Sequence, residues 1–365
     1  HEFIDAELLH HLGEIAGILF FLIGAMTIVE LVDTFHGFDI ITDRIKSNNL
    51  KTLLWVVSII TFFLSAALDN LTTTIVMITL LRKLIHSKEE RLILVGMVVI
   101  AANAGGAFSP IGDVTTTMLW IGGQISTMAI IKELFLPSLV CLLVPLVALS
   151  FSMKGTIHNK SQGEAVKSHN NFEKNLVFAL GIGGLLFVPI FKTVTHLPPY
   201  MGMLFVLSIL WIVTELLGKK KEAEEKRRYS IYHALEKLDV ITVLFFLGIL
   251  LAVSGLQTSG ILASAATWLN ANFESQTVVV TLIGLLSSIV DNVPLVAASM
   301  GMYTLEQFPM DDSFWVLLAY CAGTGGSCLI IGSAAGVAAM GMEKIDFFWY
   351  FKKISWLAFI GYFDG

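Results

Sequence analysis

Between Lys237 and Lys344 the chain contains no lysine or arginine. A water-soluble domain cannot cover its surface over such a stretch, because about a quarter of the residues of an ordinary globular protein are charged. Over the whole 365-residue chain 14% are charged and 55% are hydrophobic. This composition excludes a soluble enzyme. It excludes disorder, whose mark is low hydrophobicity. It also excludes nucleic acid as a partner, since no basic face exists to neutralise phosphates. An all-α polytopic membrane protein remains. The three cysteines, Cys141, Cys321 and Cys328, lie in apolar stretches without a CxxC pair, and read as small buried hydrophobes.

A bilayer-spanning helix needs about 20 apolar residues. Spans of this kind are predicted at Gly13–Asp33, Leu134–Met153, Asn175–Val194, Tyr200–Gly218, Asp239–Gly255 and from Phe347 to Gly365. Thr52–Leu84 and Thr277–Met302 are apolar but too short for two crossings, and read as re-entrant helical hairpins. Arg91–Ile130 and Ser313–Met342 are broken by Gly-rich polar runs, and read as interrupted transmembrane helices. Backbone that leaves the helix at membrane depth has to line a cavity or be buried in protein.

Positive charge orients the layout. Arg44, Lys46 and Lys51 precede the first hairpin and Arg82, Lys83, Lys88 and Arg91 follow it, so both of its ends are predicted in the cytoplasm. Crossing at 91–130 then puts Ile131–Glu133 outside, and Lys154–Lys174 and Lys219–Lys237 are cytoplasmic. Both flanks of the second hairpin fall in the interval without basic residues, so that hairpin opens to the outside.

The halves resemble each other at an offset of about 220 to 225 residues. Leu19-Phe-Phe-Leu-Ile-Gly24 resembles Leu244-Phe-Phe-Leu-Gly-Ile249, Asp69-Asn70 resembles Asp291-Asn292, and Gly105-Gly106 through Gly112 matches Gly325-Gly326 through Gly332. Each half reads as span, hairpin, broken helix, span, in opposite orientations. That is the inverted-repeat plan of secondary transporters, with the site where broken elements meet. The expected division is an external segment 1–12, a first repeat 13–153 (hairpin 52–84, broken helix 91–130) and a cytoplasmic loop 154–174. Two scaffold helices 175–218, a basic linker 219–238 and a second repeat 239–365 (hairpin 277–302, broken helix 313–342) follow. The scaffold spans have no counterpart before the first repeat, which predicts two further helices ahead of residue 1 and several residues after Gly365.

An acid inside an apolar hairpin is costly and marks function by default. Asp69 sits in the first tip beside Asn70, Thr72, Thr73 and Thr74, and also suits the N-cap of the helix that restarts at Leu71. The first broken helix holds Asn103, Ser109, Asp113, Thr115 and Thr116 around Gly105, Gly106, Pro110 and Gly112. Asp113 stands near the positive end of the restarting half-helix, where a carboxylate suits exchange between a metal ion and a proton. The second tip carries Asp291-Asn292, and the second broken helix carries Thr324, Ser327 and Ser333, with Ser333 where Asp113 stands in the first. The predicted site is therefore asymmetric, with a hard cation held by oxygens and by three carboxylates, Asp69, Asp113 and Asp291. Gly332, Ala335, Gly336 and Ala339 suit close helix packing. His10, His11 and Glu14 read as a solvated turn, and Asp239 as a cap or network contact.

SAALDNLTTTIVM at 65–77 and AANAGGAFSPIGDVTTTMLWIGGQ at 101–124 resemble signature segments of the NhaD-type sodium/proton antiporters, a branch of the ion transporter superfamily. Asp-Asn at 291–292 and TGGS at 324–327 fit the same family, and the resemblance covers essentially the whole chain. It implies an elevator-like carrier, a homodimer, with a transport domain that holds both hairpins and both broken helices. The family motif carries onto Asp69, Asn70, Asn103, Asp113, Thr115, Thr116, Asp291 and Asn292. Sodium/dicarboxylate members of the superfamily carry Ser-Asn-Thr at the tips, and this chain departs from them with Asp-Asn at both.

The expected activity is exchange of cytoplasmic Na⁺, with Li⁺ as an alternative ion, for external H⁺, in a bacterial inner membrane and without a cofactor. The rival on the same fold is a Na⁺-coupled dicarboxylate or other anion transporter. A channel needs a continuous pore instead of opposed hairpins. An enzyme lacks support, since no HExxH or GxSxG occurs with a base in reach.

Overall fold

The computed structural model describes residues 2–42, 45, 49–153, 155, 171–219, 227, 229–273 and 275–365. Residues 154 and 156–170 of the loop and residues 220–226 and 228 of the linker fall outside the described residues, as do the side chains of His10, His11 and Glu14. All regular structure among the described residues is helical. Among the described residues seven helices are long and apolar enough to cross a membrane: Ile15–Thr34, Leu50–Ala67, Lys88–Ala107, Thr127–Ser152, Asn171–Thr195, Pro199–Gly218 and Val240–Thr258. The chain is an integral membrane protein. It divides into two compact units, one of His1–Lys46 with Lys160–Leu251, the other of Ser47–Asn159 with Ala252–Gly365.

The first unit contains α1 (Glu2–Thr34), α2 (Asp39–Thr42), α8 (Asn171–Thr195), α9 (Pro199–Gly218), α10 (Ile231–Glu236) and the start of α11 (Val240–Thr258). The helix of the first expected span begins well before Gly13, because Ala6-Glu-Leu-Leu continues it with good helix formers. α1 packs on α8 and α9. Glu30 accepts from Lys237 Nζ at 2.6 Å, and Asp239 caps α11 by accepting from the Thr242 amide at 3.0 Å.

The second unit is built from two similar series of broken helices. In the first, α3 (Leu50–Ala67) turns at Leu68-Asp69 into α4 (Asn70–Leu84), and α5 (Lys88–Ala107) breaks before α6 (Val114–Ile121) and α7 (Thr127–Ser152). In the second, α12 (Ile261–Asn272) precedes α13 (Gln276–Leu286), α14 (Asn292–Met302), α15 (Ser313–Gly325) and α16 (Ala334–Glu343). The chain ends in α17 (Phe347–Tyr350), a π-turn over Phe351–Ser355, and α18 (Trp356–Asp364).

Two local expectations are corrected. Ile131–Glu133, expected outside between two spans, lie inside α7. The chain turns earlier, at Gly122-Gly123, where Gly123 has φ +81°, and Ser126 starts α7 by accepting from the Ala129 amide at 3.2 Å. The stretch between Gly255 and Thr277, left without an element, contains α12, which packs on α14.

The same joints are made in both series. α3 packs on α5 and α13 on α15. A Cβ at Gly105 would fall on the Phe62 carbonyl, and one at Gly325 on the Gly284 carbonyl. Only glycine permits that approach of backbone to backbone. Ser65 Oγ donates to the Ala102 carbonyl at 2.6 Å, and Ser287 Oγ lies 3.4 Å from the Ala322 carbonyl while donating to Gly284 at 2.6 Å.

Candidate functional site

Every polar residue singled out in the hairpin tips and broken helices belongs to the second unit. The helix starts place them there. Asp69 is the N-cap of α4, and its two carboxylate oxygens accept from the Thr72 amide and hydroxyl, each at 2.7 Å. Asp113 is the N-cap of α6, and one of its oxygens accepts from the Thr115 amide at 2.8 Å and from the Thr115 hydroxyl. Asp291 caps α14 by accepting from the Val293 amide at 2.9 Å, and Ser333 caps α16 by accepting from Gly336 at 3.2 Å. Four half-helices thus begin with an oxygen-bearing side chain at their positive ends.

Three of these starts are tied into one buried cluster. Asn70, the first residue of α4, donates through Nδ2 to the second carboxylate oxygen of Asp113 and to Oδ1 of Asn103 at 3.0 Å. Asn103 then donates through its own Nδ2 to the hydroxyls of Ser327 and Ser333, both at 2.9 Å. Asn103 is fully buried and Asp113 is 2% exposed. Asp113 has neutral donors on both oxygens and no salt-bridge cation among the described residues. Tyr350 Oη supports the second break by donating to the Ser327 carbonyl at 2.9 Å. Among the described residues the buried hydroxyls of Thr73, Thr74 and Thr116 have no partner.

Other predicted residues turn elsewhere. Ser109 Oγ donates to the Ala66 carbonyl at 2.5 Å and joins the first break to the first tip. Thr324 Oγ1 donates to Tyr320 in its own helix at 2.6 Å. Asn292 Nδ2 reaches only the Ala322 carbonyl, at 3.5 Å. Among the described residues no group of three or more His, Cys, Asp or Glu side chains stands close enough to hold one metal ion.

Sequence reasoning passed over three contributors. Ser65 and Ser287 lie in the quoted tips, each five residues before the tip asparagine, and that shared spacing was the available signal. Glu343 is 4% exposed and accepts from Arg82 Nε at 2.6 Å and Arg91 Nε at 2.9 Å.

The citrate transporter family matches residues 6–323. The chain is 54% identical to sodium/proton antiporter 1 of Arabidopsis thaliana over 98% of its own length and 62% of that protein's. It is 50% identical to sodium/proton antiporter 2 of the same plant, over 100% of this chain and 87% of the relative. With the Na(+)/H(+) antiporter NhaD of Vibrio cholerae the figures are 34%, 91% and 73%. The chain thus spans somewhat under two thirds of the first of these proteins. All three carry the names of transporters and none that of an enzyme. The chain belongs to the citrate transporter family by its family match and to the NhaD-type sodium/proton antiporters by its relatives.

Proposed function

We propose that this protein exchanges Na⁺ for H⁺ across its membrane, with cytoplasmic Na⁺ leaving as external protons enter and Li⁺ accepted in place of Na⁺. The observation that carries the reading is Asp113. It is a buried carboxylate at a helix start, held only by the neutral groups of Asn70 and Thr115. A carboxylate out of water needs neutralising, by a proton or by a cation. The two neutralisers exclude each other, and that exclusion is the chemistry of an antiporter. Asn70, Asn103, Thr115, Thr116, Ser327 and Ser333 offer uncharged oxygens for a Na⁺ that has shed its water. Asp69 and Asp291, with Asn292, contribute charge and oxygen at the other two helix starts, while Thr72 holds the Asp69 carboxylate and Ser109 and Thr324 hold the surrounding backbone. No cofactor enters this scheme.

The inverted repeat with re-entrant hairpins is part of the proposal. It is supported by the paired joints Gly105–Phe62 and Gly325–Gly284. We infer an elevator-like cycle, because both tips and both breaks fall within one compact unit, and a homodimeric working form, as the family resemblance implies. Relatives from a plant and from bacteria both align over nine tenths of the chain or more, so the bacterial inner membrane rests on the resemblance alone.

The test is Na⁺-dependent proton flux in proteoliposomes. Asp113→Asn and Asp69→Asn should each lower it severely, and wild-type flux from both would refute the assignment. The name of the matching family favours a second reading, carriage of a carboxylate anion. Acids at both tips oppose an anion unless cations accompany it. Na⁺-dependent uptake of labelled citrate or succinate would establish that alternative.

A further inference from the structure

α4 and α16 pack against each other. Both begin at the cluster, α4 with Asn70 and α16 behind its cap Ser333. Both end at a second cluster, where the carboxylate of Glu343 is gripped by Arg82 and Arg91. Arg82, on the last turn of α4, also donates to the Met342 carbonyl. Arg91, in the first turns of α5, also donates at 2.8 Å to the carbonyl of Ile85, the residue that ends α4. One buried acid therefore joins the far ends of three helices whose other ends carry Asn70, Asn103 and Ser333. The lever is short, since the 10 residues of α16 span about 15 Å.

We propose that Glu343 is a positioning residue for ion binding: the Arg82–Glu343–Arg91 clamp sets α16 against α4 and so fixes the Ser333 hydroxyl relative to Asn70 and Asn103. The proposal rests on the ion-exchange reading of that cluster. Helix packing transmits such a displacement because a packed interface does not deform continuously. A shift of a fraction of an ångström at the clamp should therefore reach the donors that face the ion.

The experiment is Na⁺ titration of proton flux in proteoliposomes carrying the full chain. Glu343→Gln keeps the size of the side chain and removes its charge. It should raise the Na⁺ half-saturation about tenfold while the maximal rate stays within about threefold, the signature of weakened binding. Glu343→Asp keeps the charge but shortens the reach to Arg82 and Arg91, and should give a shift between those of wild type and Glu343→Gln. Arg82→Gln, which leaves the Arg91 pair intact, gives a smaller shift of the same kind and covers the case in which the Glu343 variant fails to fold. Unchanged half-saturation, or loss of maximal rate alone, would overturn the proposal. Hydrogen exchange separates this failure from failure of the ion reading. If the wild-type protein carries no Na⁺-driven flux, the ion reading falls. Faster exchange in Glu343→Gln at the first turns of α4 and α16 would still support the clamp, and unchanged exchange there would remove it.

Discussion

At the break after α5, Asp113 opens the next helix with a carboxylate, and at the break after α15, Ser333 opens it with a hydroxyl. The contrast extends along both helices. Asn103 on α5 bonds to Asn70, Ser327 and Ser333, whereas its counterpart on α15 is Gly323 and makes no such bond. Asn70 therefore has two close acceptors in its cluster and Asn292 has one long contact. Yet the glycine joints that seat each tip against each break are alike. Backbone geometry is shared between the two regions while charge is concentrated in one. A single cation-sized centre follows more naturally from this than two equal ones, with the second region lending hydroxyls to the first.

The sharpest way to break the comparison is to alter the two cap residues in parallel. Asp113→Asn should reduce Na⁺-driven flux by about 10- to 150-fold, the rate equivalent of losing a contact to a charged group worth about 1.5–3 kcal/mol. Ser333→Ala should cost less than about fivefold, since a net hydrogen bond between neutral groups contributes about 1 kcal/mol or less. Comparable losses from both would mean that the charge is not where the function lies. The shared scaffold makes the opposite prediction. Gly105→Ala and Gly325→Ala should each destabilise by about 1–3 kcal/mol or more, because the added methyl meets a backbone carbonyl that cannot swing aside. Thermal unfolding in detergent would show it, and a large difference between the two would contradict the equivalence of the joints.

A smaller asymmetry is expected at the tips. Asn70→Ala leaves the Asp113 oxygen and Asn103 without their donor and should cost about 1–3 kcal/mol, whereas Asn292→Ala should cost under about 1 kcal/mol. The smallest effect concerns the clamp, which also lacks a twin, since Gly123 stands where a second Glu343 would be. Burial pushes the Glu343 carboxyl up, but hydrogen bonds and charge from Arg82 and Arg91 outweigh it and hold the group below the usual 4.5. A depressed acid stabilises the fold above its unfolded pKa, and that contribution is lost as pH falls through the lowered folded value. The unfolding midpoint of the wild-type protein should therefore fall more steeply below pH 4.5 than that of Glu343→Gln. Parallel curves would show that the arginines do not hold this acid in its charged form.

The elements legible in the sequence were those that leave a local mark. Asp69 and Asp113 stood out because acids are costly in apolar runs, and each is followed by the threonine that its carboxylate holds. The breaks were marked by glycine and by Pro110. α12 escaped because Ile261–Asn272 is apolar, uncharged and shorter than a span. Ile131–Glu133 fell between the broken helix read as 91–130 and the span read from Leu134, although Ser126 already announced a helix start. The bonds from Asn103 to Ser327 and Ser333, and from Glu343 to Arg82 and Arg91, join residues more than two hundred positions apart. No local pattern encodes such pairs. They arise only when the halves are folded together.

Asn103 has a further consequence because its amide has a direction. The oxygen faces Asn70 and the nitrogen faces the two serines. Aspartate would reproduce the shape of this side chain almost atom for atom, yet it would set a second acid beside Asp113 and oblige both serine hydroxyls to turn and donate where they now accept. The joint between the halves is thus polarised, like a plug that fits its socket only one way round. What position 103 requires is an acceptor turned toward Asn70 that brings no second charge beside Asp113, which neither polarity in general nor size alone can supply.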